Sequence, residues 1–165
     1  MRLIKIILEY DGRSYYGWQI QPNRSSIQET IEKSLKKIIK EKTSVIASGR
    51  TDAGVHAEAQ VAHFRTKSKM TTFQILKALN SVLPNDISIK NVCEASPNFH
   101  SIRSAKKKIY RYSILNRDFP SALNFGRVWY MEQPLNIEAM MDAAKTSRPP
   151  RHPKGARGGF FIDFL

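Results

Sequence analysis

The first forty residues pass from strand-like alternation to helical spacing. In LIKIILEY (3–10) every second residue is hydrophobic, which predicts a half-buried strand with its even-numbered residues on one face. The run SIQE (26–29) matches the capping box that starts helices, because its Ser and Glu side chains bond to backbone N–H groups of the first turn. The amphipathic helix that follows is predicted to end near residue 40. Its apolar stripe comprises Ile27, Ile31, Leu35, Ile38 and Ile39.

Two strands, a helix and a further strand are predicted next. SVIAS (44–48) and AQVAHFRT (59–66) are strand-like, TTFQILKALNSVL (71–83) is helical up to Pro84, and DISIKNVCEA (86–95) is strand-like. This order is typical of the ferredoxin-like βαββαβ arrangement, an α+β fold with an antiparallel sheet and both helices on one face. The opposite face then stays open for a partner or another layer. On the second helix we expect Phe73, Leu76, Leu79 and Leu83 to face the core.

The chain after residue 100 carries the start of a second, similar half. KKKIYRYSILN (106–116) and VWYM (128–131) predict strands, and a helix is expected from near Asn136 to residue 146. Its inward residues would be Ile137, Met140, Met141 and Ala144. Residues 147–165 are rich in Pro, Gly and Arg without periodicity, so we expect an irregular basic tail. The predicted organisation is therefore 1–104, 105–146 and 147–165.

The charge of the chain indicates a polyanionic partner. A net charge of +13 over 165 residues exceeds what folding requires, and nucleic acid is the first candidate, with an anionic membrane surface as the alternative. The open sheet face would offer room for RNA. No apolar run reaches the roughly 18 residues of a spanning helix, and Cys93 is the single cysteine. We therefore expect a soluble, cytoplasmic protein without a membrane segment or a disulfide framework.

The loop GRTDAGVHA (49–57) places an acid in a basic protein. A turn is one explanation, because glycine adopts positive φ and aspartate bonds to nearby backbone. Catalysis is the other. The sequence shows no carboxylate cluster for two metal ions, no Gly-rich loop after a strand, and no P-C-x-x-C to complete the H-x-E signature of zinc deaminases at His56. What remains is chemistry free of metal and cofactor, with Asp52 as nucleophile or base.

Arg50 precedes Asp52 by two residues and extends this interpretation. A neighbouring positive charge favours the ionised carboxylate, even when RNA phosphates surround it. An arginine here is also suited to hold a phosphate, and an ordinary surface arginine is the remaining interpretation.

The segment KKKIYRY (106–112) combines cations with aromatic residues. Strand alternation puts Tyr110 and Tyr112 on one face and Arg111 on the other. Tyrosine here either stacks on an unstacked base or belongs to the core, and the core is the favoured interpretation for Tyr112. Between residues 101 and 117 there is no acid, which indicates either a solvated face or a strip that binds a nucleic-acid backbone. Its cations are Arg103, Lys106, Lys107, Lys108, Arg111 and Arg117.

Four blocks of the sequence resemble, in the same order, the N-terminal part of the tRNA pseudouridine synthase A (TruA) family. They are YDGRSYYGWQIQPN (10–23), SGRTDAGVHAEAQVAHF (48–64), LNSVLPNDI (79–87) and FHSIRSAKKKIYRY (99–112). The second block is the most specific. The resemblance extends over about residues 1–146 and marks residues 1–104 as the catalytic N-terminal half.

The resemblance implies a reaction and its residues. The family converts uridine to pseudouridine in the anticodon arm of tRNA, at conventional tRNA positions 38 to 40, without a cofactor or metal. Its catalytic aspartate corresponds to Asp52, which attacks or assists at the nucleoside while the base detaches, rotates and rejoins through carbon. Its active-site arginine corresponds to Arg50 and its base-stacking tyrosine to Tyr110. The family acts as a homodimer, with tRNA contacting both subunits.

Two departures from the family pattern accompany this resemblance. Arg103 stands one position later than the arginine of the family's F-H-A-R-F-S-A block, and the segment after residue 146 resembles nothing in the family. We therefore expect a truncated N-terminal part that binds RNA weakly, aggregates and forms no detectable pseudouridine. The alternative to an enzyme is accordingly a catalytically incomplete RNA-binding fragment.

Overall fold

The computed structural model describes residues 1–146 and 157–164. The chain divides into two compact units, Met1–Ser104 and Ala105–Leu165. Among the described residues no helix is long and apolar enough to cross a membrane.

The first unit is an antiparallel four-stranded sheet with two helices. Its elements are β1 (Arg2–Tyr10), α1 (Ile27–Ile39), β2 (Ile46–Ala47), β3 (Ala57–Thr66), α2 (Thr72–Val82) and β4 (Ile87–Glu94). The strand order is β2-β3-β1-β4, and β1 pairs with both β3 and β4. This order and the sequence of elements confirm the predicted α+β, ferredoxin-like arrangement.

The core of the first unit lies between the sheet and the helices. The even-numbered residues of β1 from 4 to 10 are buried against the apolar stripe of α1, as the alternation predicts. On α2 the core positions are Ile75, Leu79 and the following Leu83. The prediction for Phe73 is wrong, since its side chain is 65% exposed. Two residues before Ile75 correspond to about 200° around a helix, which puts Phe73 on the outer side.

The capping interactions differ between the two helices. Ser26 Oγ accepts the N–H of Glu29 at 3.3 Å, but the Glu29 carboxylate pairs with Lys33 at 2.7 Å. The reciprocal capping box occurs at α2 instead. There Gln74 N–H donates to Thr71 Oγ1 at 3.2 Å, and Thr71 N–H donates to the Gln74 side chain at 2.8 Å.

The sheet face opposite the helices is partly covered by the segment after β4. Ser101 N–H donates to Nδ1 of buried His63 at 3.2 Å, and Ser101 Oγ donates to the carbonyl of Ile46 at 2.7 Å. The Phe99 ring meets His63 edge-on with centroids 5.9 Å apart, and Lys5 Nζ lies 5.9 Å from the Phe99 centroid. Around His63 this face is therefore covered by the chain itself and is not free for RNA.

The second unit contains a three-stranded sheet whose strands run parallel. Its elements are β5 (Lys107–Asn116), β6 (Trp129–Met131), α3 (Ile137–Thr146) and β7 (Arg157–Phe164), in the sheet order β6-β5-β7. Asn136 caps α3, because its side-chain oxygen accepts the N–H of Ala139 at 3.0 Å. Ile137 is 39% and Met141 51% exposed, so the predicted inward face of α3 is wrong at these two residues.

The predicted irregular tail is also wrong for residues 157–164. This segment pairs in parallel with β5 over its whole length, from Lys107 opposite Arg157 to Ile114 opposite Phe164. The hydrogen bonds offered by the edge of β5 outweigh the low strand propensity of the Gly158-Gly159 pair. The rest of the predicted tail, 147–156 and Leu165, lies outside the described residues.

Candidate active site

The loop 48–56, which we call the Asp52 loop, connects β2 to β3. Its beginning is bound to β3, because Ser48 N–H donates to the carbonyl of Val61 at 2.7 Å. The Gln60 side chain adds two bonds. It donates to the Gly49 carbonyl at 2.6 Å and accepts from the Ser48 hydroxyl at 2.9 Å. The first residues of the loop therefore have a defined path along the strand that follows it.

Thr51 is held by two aromatic residues of the N-terminal segment. The Tyr10 hydroxyl and Thr51 Oγ1 are 2.8 Å apart, and Trp18 N–H donates to the Thr51 carbonyl at 3.0 Å. Both aromatic side chains are buried, with ring centroids 6.2 Å apart. Burial raises the pKa of Tyr10, so its hydroxyl stays protonated at neutral pH. The backbone immediately before Asp52 is thus fixed from the core.

Two glycines of the N-terminal segment allow its backbone to lie close to the backbone of the Asp52 loop. A Cβ on Gly17, whose φ is +85°, would lie 2.5 Å from the Thr51 carbonyl oxygen, and a Cβ on Gly12 would overlap the Val55 carbonyl. Only glycine fits such contacts between two backbones. We did not predict these positioning residues from the sequence. The pair of glycines within YDGRSYYGW (10–18) is the signal that points to them.

Asp52 begins a tight turn but does not stabilise it with its side chain. Val55 N–H donates to the Asp52 carbonyl at 3.2 Å, and Gly54 at the third position has a φ of +78°. These backbone features account for the turn. The Asp52 side chain is exposed, and its carboxylate forms no hydrogen bond or ion pair with another described residue. The turn therefore does not explain why residue 52 is an acid. Both oxygens of its carboxylate are available to a group outside the fold.

Arg50 is likewise exposed and forms no hydrogen bond or ion pair within the described part of the chain. The expected effect of its charge on the ionisation of Asp52 stays a prediction. The neighbouring acid Asp11 behaves differently. The Arg13 guanidinium donates to it at 2.6 Å and His56 Nδ1 lies 3.2 Å away, and hydrogen bonding from Arg13 lowers the pKa of Asp11 to about 2.

Of the other predicted candidates, Arg103 lies in the first unit and the remainder lie on or just before β5. Arg103 is exposed in a turn closed by a 2.7 Å bond from Ser104 N–H to the His100 carbonyl, so it has no strand face. Tyr110 is 36% exposed, Tyr112 is 56% exposed, and the core interpretation of Tyr112 is therefore wrong. Burial lowers the pKa of Lys108. Lys106, Lys107 and Arg111 are exposed.

The described residues contain no group of three His, Cys, Asp or Glu side chains arranged to hold a metal ion. What the site offers is an exposed carboxylate on a rigidly supported loop. Such a group can act as a nucleophile or base towards a bound substrate.

Comparisons with known proteins place most of the first unit in one protein family. A sequence model of the family described as tRNA pseudouridine synthase matches residues 6–103. The "tRNA pseudouridine synthase A" of Thermoanaerobacter sp. (strain X514) is 44% identical over 144 residues, which cover 87% of this chain and 59% of the relative. The protein of that name from Caldicellulosiruptor bescii is 47% identical over 145 residues, covering 88% and 59%. The one from Pelobacter propionicus is 42% identical over 152 residues, covering 92% and 62%. The chain thus spans 59–62% of the length of these curated relatives.

Proposed function

The chain belongs to the tRNA pseudouridine synthase family, and from that premise we propose that it isomerises uridine to pseudouridine in tRNA with Asp52 as the catalytic carboxylate. The target is the anticodon arm, at conventional positions 38 to 40, as the resemblance to the TruA family implies. The homodimer and the cytoplasmic location belong to the same proposal. The chain corresponds to the N-terminal part of the relatives.

The reaction needs neither an oxidant nor a second substrate. The bond between N1 of uracil and C1′ of the ribose breaks, the base turns, and a bond between C5 and C1′ forms. C5 loses its proton to solvent, and N1 ends as an N–H group. The Asp52 carboxylate serves this sequence either by attacking the nucleoside or by accepting a proton, because an ionised carboxylate is suited to both roles.

The observation that carries the proposal is the contrast between the Asp52 backbone and its side chain. Tyr10, Trp18 and Gly17 hold the backbone at Thr51, whereas the carboxylate is exposed and unbonded within the described residues. Pre-positioning a reacting group lowers the entropic cost of reaction. The Tyr10 hydroxyl, the Trp18 backbone N–H and the closely packed Gly17 all contact one loop, and this fits a catalytic residue better than a surface acid.

The other candidates take supporting roles. Arg50 would bind a phosphate beside the target or favour the ionised form of Asp52. Tyr110 would stack on the uracil once it has left the helix, since a base inside a stem is not accessible. Lys106, Lys107, Lys108, Arg103 and Arg111 would contact the RNA backbone.

The test replaces Asp52 with Asn, which keeps size and polarity but removes the charge. Tritium release from tRNA carrying 5-labelled uridine measures turnover, and fluorescence anisotropy of labelled tRNA measures binding. We expect Asp52→Asn, made in a complete version of the enzyme, to abolish tritium release and to leave the tRNA Kd within a few-fold of its original value. Asp118→Asn, another exposed acid, is the matched control and should keep full turnover. Persistent release by Asp52→Asn would refute the catalytic assignment.

The alternative function, an RNA-binding fragment without turnover, is separated by the same measurements. The basic residues on β5 favour it, because they can hold tRNA whether or not a reaction follows. Saturable binding of tRNA with no tritium release from the unmodified chain would support the fragment. Site-specific pseudouridine in the anticodon arm, mapped by carbodiimide modification, would support the enzyme.

A further inference from the structure

The segment Tyr15–Gly17 runs directly along the Asp52 loop. Gly54 N–H donates to the Tyr15 carbonyl at 3.2 Å, and a Cβ on Gly17 would lie 3.1 Å from the Asp52 carbonyl carbon. Tyr16 stands between these two contacts. Its backbone therefore lies beside the turn that presents the Asp52 carboxylate.

The Tyr16 side chain is exposed although its backbone is well ordered by hydrogen bonds. Its N–H donates to the Ser25 carbonyl at 2.9 Å, and its own carbonyl accepts from Gln21 Nε2 at 2.9 Å. Tyr15 and Trp18 are 7% and 2% exposed, whereas Tyr16 is 48% exposed. Tyr16 follows Asp11-Gly12 in the same aromatic-rich run as Tyr15 and Trp18, which predicts a core aromatic, and its exposure shows that this prediction is wrong. The fold therefore leaves this ring exposed on a segment whose backbone lies beside the candidate catalytic loop.

Arg24 completes the feature. Its guanidinium lies 4.5 Å from the Tyr16 ring centroid, within the range of a cation–π contact. Within the described residues this guanidinium has no carboxylate or carbonyl partner. Its N–H groups are therefore available to a ligand, and the tyrosine ring limits the directions in which they point.

A stacked tyrosine and arginine suit one chemical class of ligand, an unstacked RNA nucleotide. A base stacks on the aromatic or guanidinium plane, and the guanidinium donates to a phosphate. When a target uridine leaves its helix, the stacking of the adjacent nucleotides is also disturbed, and a nearby protein surface can replace it.

We propose that Tyr16 and Arg24 form a binding site for a nucleotide that flanks the uridine presented to Asp52. The inference rests on the proposed function for the identity of the RNA, a tRNA anticodon arm. It adds a contact in the first unit to the base-stacking and backbone-binding residues assigned to β5.

Binding of a labelled tRNA anticodon stem-loop to the 165-residue chain tests the site without requiring turnover. We expect Tyr16→Ala to raise the Kd at least about fivefold, the lower end of the effect of removing a stacking aromatic, and Tyr16→Phe to stay within about twofold. Arg24→Ala should lower the slope of log K against log salt by about 0.7–0.9, the change expected when one phosphate is no longer neutralised.

Phe73→Ala is the matched control. Phe73 is also an exposed aromatic with a cation near its ring, Lys77 at 5.7 Å, but it lies on the outer side of α2. It should leave the Kd unchanged. An equal loss of affinity in Phe73→Ala and Tyr16→Ala would overturn the proposal, because any exposed aromatic would then contribute.

An abasic nucleotide placed at each loop position in turn identifies the base. At one position beside the target, the abasic RNA should weaken binding to the natural chain but not to Tyr16→Ala. Additive effects at every position would overturn the stacking contact. This outcome is separate from failure of the proposed function, which is read from tritium release by Asp52→Asn.

Discussion

The two units of the chain differ in how many of their hydrophobic side chains are buried. In the first unit two capped helices cover one face of the sheet, and the sheet residues beneath them are almost fully buried. In the second unit, among residues 105–144, only Ile114 and Leu115 are buried hydrophobic residues. Large apolar side chains there are exposed, including Ile109, Tyr112, Phe119, Leu123, Phe125 and Trp129.

The difference in burial suits the first unit to supporting the Asp52 loop and the second unit to contacting a ligand. The first unit has the burial needed to hold the Asp52 loop in place, because Tyr10 and Trp18 belong to its core. The second unit displays tyrosines and lysines along one parallel strand, where exposure suits contact with a large ligand. The chain thus combines a well-packed unit that positions a carboxylate with a more exposed unit suited to binding.

The largest expected difference between the two units comes from a Leu→Ala substitution made in each of them. Leu35→Ala removes a fully buried side chain from the first unit and should cost about 2–5 kcal/mol of the free energy of unfolding. Leu123→Ala removes a side chain that is 93% exposed and should stay within about 0.5 kcal/mol. Urea unfolding followed by far-UV circular dichroism measures both. A comparable destabilisation by Leu123→Ala would show that the second unit has a core of its own.

The next test concerns binding by the second unit. Replacing Lys106, Lys107 and Lys108 with Ala should lower the slope of log K against log salt for tRNA by about 0.7–0.9 for each phosphate that these lysines neutralise. The matched variant replaces three exposed lysines of the first unit, Lys36, Lys37 and Lys42, and should leave the slope unchanged. Equal slopes in the two triple variants would place the RNA elsewhere.

A smaller effect is expected where the first unit supports its loop. Gly17→Ala combines a positive φ with a Cβ 2.5 Å from the Thr51 carbonyl oxygen, and should cost more than about 2 kcal/mol. Gly54→Ala also has a positive φ but meets open space, so it should cost only about 1–2 kcal/mol. Thermal unfolding compares the two variants. If Gly54→Ala is the more damaging, the close approach at Gly17 does not stabilise the loop.

The smallest expected effect is on the pH dependence of the stability of the first unit. Burial, together with the positive charges of His100 and Arg65, lowers the pKa of His63. Stability from neutral His63 is therefore present above its ordinary pKa of about 6.5 and is lost as the pH falls below that value. His63→Gln should flatten the fall in urea midpoint as the pH is lowered below about 6.5. Parallel curves for both proteins would contradict this role.

Local patterns in the sequence determined much of the first unit. The alternation of residues 3–10 and the stripe on α1 specify which faces are apolar, because strand and helix periods relate residues only a few positions apart. The glycines on either side of Asp52 likewise indicate a turn, because a turn involves only residues that are close together in the sequence. Together these signals predict the order of elements and place Asp52 between two strands.

Contacts between distant parts of the chain decided the rest. Tyr10 and Thr51 are 41 residues apart, so no local pattern reveals the hydrogen bond that supports the Asp52 loop. Residues 157–164 become a strand because β5 offers a pairing edge, although their own composition predicts irregular structure. The sequence by itself identified the candidate carboxylate. Only the tertiary structure shows that the turn forms without the Asp52 side chain and that the core holds the backbone before Asp52 in position. Both facts depend on hydrogen bonds between residues that are far apart in the sequence or on their absence.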